Sequence, residues 1–411
     1  MRLMIVQYAG DYREAAQRLA NGGNETYYAQ RYSVETVARL TQYAEEVSVL
    51  CCLTSETYEE VLFNEVRAIG AGFTSSIDTK KLIRMLEEYN PTHLILRSPM
   101  RDVLRWAIRK QIKILGLFAE SVQNKGFRDR LRNFQLARLL NHQQVEWVGS
   151  YGLTSALTLQ EIGVDANKII PWDFLITPTP GSYTMKPSPT GTNTWNLLYV
   201  GSMSEEKGVG DCLRAVAALR DRNLPVCLKL VGKDPGYFAA LAERLGISDR
   251  VEFLGMQPTS AIVPLMREAD VVLVPSRHAY PEGFPLTIHH ALCARTPIVA
   301  SDHPMFQQYL QQGVSAVIFP EANAEALADS IETLFQHPTL YQTLSEGAYR
   351  TWYRLRLPVK WSDMLNHWVI RFSQSHQWLY EHRLASGQYD GNEPPDQLSQ
   401  GAQLELRQAE K

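Results

Sequence analysis

Two short stretches of the chain gather residues able to handle a phosphorylated ligand. The first is Gly201-Ser202-Met203-Ser204-Glu205-Glu206-Lys207-Gly208, which follows the apolar run Leu197-Leu198-Tyr199-Val200 and precedes an amphipathic segment. Glycine lets the backbone turn tightly after a strand, a helix start offers unpaired N–H groups and a positive dipole end, and a lysine there adds a full charge. That combination suits a diphosphate; a solvated lysine in a first helical turn is the other reading of Lys207. The spacing is neither GxxxxGK[ST] nor GxGxxG.

The second stretch is Pro281-Glu282-Gly283-Phe284-Pro285-Leu286-Thr287-Ile288-His289-His290, just after Val271-Val272-Leu273-Val274-Pro275-Ser276. Pro285 near the start of a helix turns the amides of Phe284, Leu286 and Thr287 outward, which makes an anion-binding end. A carboxylate beside bound phosphate is repelled, so Glu282 suits the hydroxyls of an attached sugar; capping the helix is the other role open to it. Lys233, after a strand ending at Gly232, and Arg277, in the loop before Glu282, are further cations near these turns.

These loops need strands and helices to hold them. Short β-branched runs at 3–8, 47–52, 93–96, 112–118, 145–149 and 168–171 alternate with amphipathic stretches such as 35–45 and 78–88. Such alternation predicts a parallel sheet covered by helices. The pattern stops over 177–194, which is dense in Pro, Thr, Ser and Gly and predicts a linker. It then restarts with strands at 196–201, 226–232, 251–255, 271–275, 297–301 and 316–319, and helices near 209–221, 236–246, 258–268, 286–295 and 323–336. The expected division is 1–176, linker 177–194, 195–338, an aromatic helical segment 339–385 packing back on the first domain, and a flexible tail 386–411. Ligands in open α/β sheets bind at the carboxyl ends of strands, so both phosphate-handling stretches lie where function is expected.

Composition narrows the partners. Lys plus Arg number 41 against Asp plus Glu 44, a formal net charge of -3, which argues against nucleic acid. The five cysteines have no CxxC spacing, so they read as free thiols in a reducing compartment rather than as a zinc site or a disulfide framework. No stretch approaches the roughly 18 apolar residues of a membrane span, which limits membrane association to the periphery.

In order and spacing, GSMSEEKG, VCLKLVGKD, RVEFLG, ADVVLVPS, PEGFPLTIHHAL, TPIVASD and FPEANAEALADSI resemble the nucleotide-sugar-binding domain of retaining GT-B glycosyltransferases of family 4, the "group 1" family. Over 1–175 the likeness is weaker: Gly22-Gly23-Asn24-Glu25 is similar to the family's glycine-rich first loop, and Ile169-Ile170-Pro171-Trp172-Asp173 to its crossing into the second domain. The resemblance implies an α/β protein with the GT-B fold, two Rossmann-like doubly wound domains facing a cleft. It implies that Lys207 binds the donor diphosphate and Glu282 the donor sugar. The family's diphosphate-binding arginine falls on Ser202, its ribose-binding glutamate on His290, and its His-Asp pair on Ala119 and Glu120. Glu120 is then a contact to donor or acceptor, or a helix cap. The family's glycine pair after TPIVASD is replaced at His303, which reaches the ligand or lies on the surface.

The expectation is a metal-independent retaining glycosyltransferase that moves a sugar from a nucleoside diphosphate sugar to a glycan, lipid-linked or small-molecule acceptor. The expected catalytic residues are Glu282, Lys207 and Glu120. The expected donor site comprises Gly22, Gly23, Gly201, Ser202, Lys207, Lys233, Arg277, Glu282, Gly283, Phe284, Pro285, Leu286, Thr287 and His290. No cofactor beyond the co-substrate is expected, and the location is cytoplasmic, at most peripheral to the inner face of a membrane. The alternative is a non-catalytic GT-B-shaped protein that binds a nucleotide sugar or glycan.

Overall fold

The computed structural model describes residues 1–27, 29–119, 122, 126–174, 178–189, 194–280, 282, 286–307, 309–370 and 374–389. The chain forms two compact units, Met1–Ile176 with Leu357–Tyr389, and Thr177–Arg356.

The first unit is built on β1 (Arg2–Gln7), β2 (Glu46–Leu53), β3 (Thr57–Val61), β4 (Arg67–Phe73), β5 (His93–Leu96), β6 (Lys113–Phe118), β7 (Val145–Tyr151) and β8 (Ile169–Trp172). Their order in the sheet is β3-β4-β2-β1-β5-β6-β7-β8, and every pair is parallel except β3 with β4. The central strands are apolar on both faces because helices cover both: Leu3, Met4, Ile5 and Val6 are all buried. The β3–β4 hairpin departs from the expected purely parallel sheet. It occupies an edge, where the exposed Glu59 and Glu60 keep another chain from pairing with it.

Gly22 and Gly23 are not a loop after the first strand. They close the helix Tyr12–Ala20: Gly23 N–H donates to the Arg18 carbonyl at 2.9 Å and Gly22 N–H to Leu19 at 3.2 Å, with Gly22 at φ +77°. This is the paired hydrogen-bond pattern of a glycine helix stop, in which the left-handed residue must lack a Cβ. The turn directly after β1 is made by residues 8–11 instead.

The second unit carries a six-stranded, wholly parallel sheet of β9 (Trp195–Val200), β10 (Val226–Val231), β11 (Val251–Gly255), β12 (Val271–Val274), β13 (Ile298–Ser301) and β14 (Val317–Phe319), in the order β11-β10-β9-β12-β13-β14. The described part of the expected linker is held against this unit. The Lys186 ammonium donates to the Arg267 and Ala269 carbonyls at the end of the helix Thr259–Glu268, and burial lowers its pKa to about 8. The expected 339–385 segment divides. Helix Pro338–Arg354 belongs to the second unit, where Tyr341 and Leu344 join Trp195 in its core.

The residues from Leu357 onward belong to the first unit, and Asp173 explains why. Its carboxylate is fully buried and accepts from Lys360 Nζ at 2.8 Å and Leu357 N–H at 3.0 Å, while its backbone pairs with Val359 and Trp361. Removing one partner of a buried ion pair leaves the other charge uncompensated. Asp173→Ala is therefore expected to lower the unfolding free energy by about 3–5 kcal/mol, measured by urea denaturation; an unchanged midpoint would show that this anchor carries no weight.

Candidate donor-binding site

In the second sheet the strand order turns around between β9 and β12: β10 and β11 follow outward from β9, and β13 and β14 from β12. Loops leaving the carboxyl ends of two such strands diverge to opposite sides, which opens a crevice between them. The loop after β9 carries Lys207 and the loop after β12 carries Glu282, so the topology brings together residues 75 positions apart.

Gly208 sets how closely the two loops meet. It has φ +72° at the start of the helix Val209–Asp221, and a Cβ there would stand 2.2 Å from the Pro275 carbonyl oxygen. Both its conformation and its neighbour require glycine. The Arg277 guanidinium then joins the loops, with Nε 3.0 Å from Asp211 Oδ2 and Nη2 2.9 Å from Asp211 Oδ1, a two-pronged pairing with a carboxylate that is itself buried. Glu205 adds a third contact at 3.3 Å.

With the loops fixed, Lys207 Nζ lies 2.6 Å from Glu282 Oε1 and 4.0 Å from the centre of the Tyr280 ring. Ser276 Oγ donates to the same carboxylate oxygen. The lysine and glutamate side chains are only 17% and 11% exposed, so this ion pair is screened far less than one on the surface. Beside it is a cavity of about 180 Å³ with Lys207, Ser276, Glu282 and Thr287 on its polar side and Tyr199 and Phe306 among its apolar walls.

Tyr280 is held from behind by His303. Met305 N–H donates to His303 Nδ1 at 3.1 Å, so the ring proton is on Nε2, which donates to the Tyr280 carbonyl at 3.1 Å. Burial lowers the pKa of this imidazole and keeps it neutral. His303 thus neither lies on the surface nor lines the cavity; it positions the ring against which Lys207 rests.

The expected residues separate into groups. Lys207, Glu282, Leu286 and Thr287 line the cavity, and Thr287 Oγ1 donates to the Val200 carbonyl at 3.4 Å. Gly201 follows β9 and extends its pairing with β10, its N–H donating to the Val231 carbonyl at 3.0 Å. Ser202 is exposed, its carbonyl accepting from the Tyr199 hydroxyl at 2.7 Å, and Lys233 is exposed beyond β10; neither lines the cavity. Arg277 does not supply the spare charge expected of it, because its guanidinium is committed to Asp211 and Glu205. Gly22 and Gly23 end a helix of the first unit, as described above. Glu120, Gly283, Phe284 and Pro285 lie outside the described residues.

His290 also departs from expectation. It is buried in the helix Leu286–Ala294, is not among the residues lining the cavity, and burial lowers its pKa to about 4. Sequence reasoning overlooked Ser276 and Tyr280, which fix the two charges. Their signal was position alone, at the end of β12 and two residues before Glu282.

Two outcomes follow from this geometry. Gly208→Ala combines a positive φ with a backbone collision and is expected to cost about 1–3 kcal/mol or more, measured by thermal unfolding of the two proteins side by side. For His290 the folded pKa is below the unfolded value of 6.5. The neutral ring's contribution is therefore complete above pH 6.5 and is lost as pH falls toward 4, to a total of roughly 3 kcal/mol. His290→Gln should flatten the stability-versus-pH curve across that window, and equal slopes for the two proteins would contradict the assignment.

Residues 184–351 match the family described as "Glycosyl transferases group 1". Among curated proteins the chain is 27% identical over 154 residues to alpha-D-kanosaminyltransferase of Streptomyces kanamyceticus, covering 37% of this chain and 39% of that protein. It is 30% identical over 160 residues to D-inositol 3-phosphate glycosyltransferase of Corynebacterium glutamicum (strain R), covering 37% and 38%. The matched part thus spans about two-fifths of these relatives' length. Likeness in three dimensions extends further. Sucrose-phosphate synthase from Thermosynechococcus elongatus aligns with a TM-score of 0.63 over 92% of this chain and 99% of its own, at 16% identity. Anabaena HepE in complex with UDP-glucose aligns with a TM-score of 0.58 over 92% and 99%, at 15% identity. At such identities the shared property is the fold, here the GT-B fold. Over residues 184–351, the segment that holds the Lys207–Glu282 pair, the chain is similar to the glycosyl transferases group 1 family.

Proposed function

We propose that the chain is a retaining glycosyltransferase that moves a sugar from a nucleoside diphosphate sugar to an acceptor hydroxyl. The observation that carries this reading is the Lys207–Glu282 pair in the crevice between β9 and β12, one cation and one carboxylate side by side over a cavity. A nucleoside diphosphate sugar presents the matching pair of groups, an anionic diphosphate and a polyhydroxyl ring.

In this reading the Lys207 ammonium leaves Glu282 for the diphosphate, where negative charge accumulates as the glycosidic bond breaks. The first N–H groups of the helix Leu286–Ala294 have no partner within the helix and add to that stabilisation. Glu282, freed of the lysine, accepts hydrogen bonds from the sugar hydroxyls. Ser276 keeps its carboxylate in place, and Tyr280 offers its ring to the lysine. Lys207, and not a bridging metal ion, supplies the positive charge. UDP-sugars are the first donors to try, since HepE is a protein of this fold held with UDP-glucose.

The second reading, a non-catalytic binder of nucleotide sugars, has its own support. Ser202 stands where an arginine would add charge, and Arg277 is bound to Asp211, so among the described residues the positive charge lining the cavity is that of Lys207. Release of nucleoside diphosphate from a panel of UDP-, GDP-, ADP- and dTDP-sugars, with and without glycan or lipid-linked acceptors, distinguishes them. Turnover of one donor is expected; tight binding with no release from any donor would favour the binder. Lys207→Ala is expected to lower donor turnover about 100-fold, and unchanged kinetics would remove Lys207 from the site.

A further inference from the structure

The strand order of the first sheet turns around between β1 and β5: β2, β4 and β3 lie outward from β1, and β6, β7 and β8 from β5. Gln7 is the last residue of β1 and Arg97 directly follows β5, so both stand at the carboxyl ends where such a sheet opens a crevice. The Arg97 N–H donates to the Val6 carbonyl at 3.0 Å, which carries the pairing one step beyond β5 and sets Arg97 beside Gln7. A cavity of about 20 Å³ lies there, lined by Gln7, Asp11, Tyr27, Arg97 and Trp361 together with apolar side chains such as Val49. All of these residues belong to the first unit.

The cavity holds a positive charge without a counter-charge. Arg97 Nη1 donates to Gln7 Oε1 at 3.2 Å, and Gln7 is oriented for that role because its own Nε2 donates to the Gly10 carbonyl at 2.8 Å and lies 3.3 Å from Cys51 Sγ. The Tyr27 hydroxyl is a second, equally neutral partner of the guanidinium. Among the described residues Arg97 forms no ion pair, while burial works against its charge and lowers its pKa. A guanidinium carries five N–H donors, and a charge taken out of water without an opposite one is costly. Its central carbon lies 5.6 Å from the centre of the Trp361 ring. Trp361 is 1% exposed, and its Nε1 is buried with no acceptor among the described residues, a second cost of the same kind. Asp11, the carboxylate on the same wall, is occupied elsewhere: it accepts from the Glu14 N–H at 3.1 Å and from the Tyr58 hydroxyl at 2.5 Å.

We propose that this cavity binds the carboxylate of a small organic acid, with the Arg97 guanidinium on its oxygens and the Trp361 indole N–H as a further donor. Such a group brings the two things that these side chains lack, a negative charge and acceptor lone pairs. Planar guanidinium and planar carboxylate pair fork to fork, the strongest form of this contact. Size selects carboxylate over phosphate: a water-sized group takes about 10–15 Å³, so the cavity is filled by a group of two oxygens and is too small for the three free oxygens of a phosphate monoester. The apolar part of the lining lowers the local dielectric and strengthens the pair once it forms. Tyr27 is 46% exposed, so the cavity reaches the surface beside its ring, where the remainder of the acid extends. The proposal concerns binding within the first unit and does not rest on the glycosyltransferase reading.

The indole N–H resonance of Trp361, identified in the full chain by its loss in Trp361→Phe, gives a direct readout. Titration with acetate, glucuronate, glucose and inorganic phosphate at constant ionic strength and pH tests the proposal. The resonance is expected to shift and saturate with both carboxylates and to stay in place with glucose and phosphate. Arg97→Met should weaken glucuronate binding about tenfold or more, the loss of a charged hydrogen bond. Arg97→Lys keeps the charge without the fork and should also bind more weakly than the original. Without ligand, Arg97→Met is expected to unfold at the same temperature as the original chain or above it, because the cation it removes has no counter-charge. No shift with either carboxylate, an equal shift with glucose or phosphate, or undiminished glucuronate binding by Arg97→Met would overturn the proposal. A fall in the unfolding temperature of both Arg97 variants would do so as well, since the arginine would then be a structural support.

Discussion

The approach of Gly208 to the Pro275 carbonyl is the constraint on which the second unit's site depends. Two loops that start at neighbouring strands and lead to different helices have no reason to stay together once they leave the sheet. Here they touch through backbone, at a distance that admits no side chain, and the φ of +72° at Gly208 directs the helix Val209–Asp221 away from the contact. Once that contact exists, Asp211 in the first helical turn faces Arg277, and Lys207 on the near side faces Glu282. A side chain at position 208 would loosen both pairs at once, although it would touch neither.

The two ion pairs divide the work. Asp211–Arg277 is two-pronged, reinforced by Glu205, and is not part of the cavity lining, which makes it a brace. Lys207–Glu282 is a single contact at the cavity wall, with Ser276 and Tyr280 limiting where each partner can go. Bidentate arginine resists exchange because its fork matches one carboxylate geometry, whereas an ammonium is a point charge that can be shared or passed on. The residue type at each position suits the permanence of its bond. His303 completes the arrangement as a neutral ring that fixes Tyr280 without adding charge near the pair.

Much of this was legible in the sequence. The strands of the second sheet announced themselves because parallel strands buried on both faces are continuous Val, Leu and Ile runs, and the loops after β9 and β12 stood out against them. The β3–β4 hairpin was not legible: β3 is exposed and acidic, and β4 contains Gly70 and Gly72, so neither has the periodicity of a strand. Gly22-Gly23 was read through a family likeness, although its own surroundings, an amphipathic run ending at Asn21, already fit a helix stop. Arg277 and His290 could not have been settled from sequence. A cation in a loop is available or committed according to a partner 66 residues away, and which side of a helix faces a cavity depends on neighbours that periodicity does not name.

The Lys207–Glu282 contact also has a consequence for selectivity. A ligand with only an anionic end draws Lys207 away and leaves the carboxylate, 11% exposed, without its counter-charge; a ligand with only hydroxyls competes with an ammonium already in place. Each half-ligand meets a penalty that the other half would relieve. A molecule carrying both groups at the right separation satisfies lysine and glutamate in one event, so the pair works as a two-key lock.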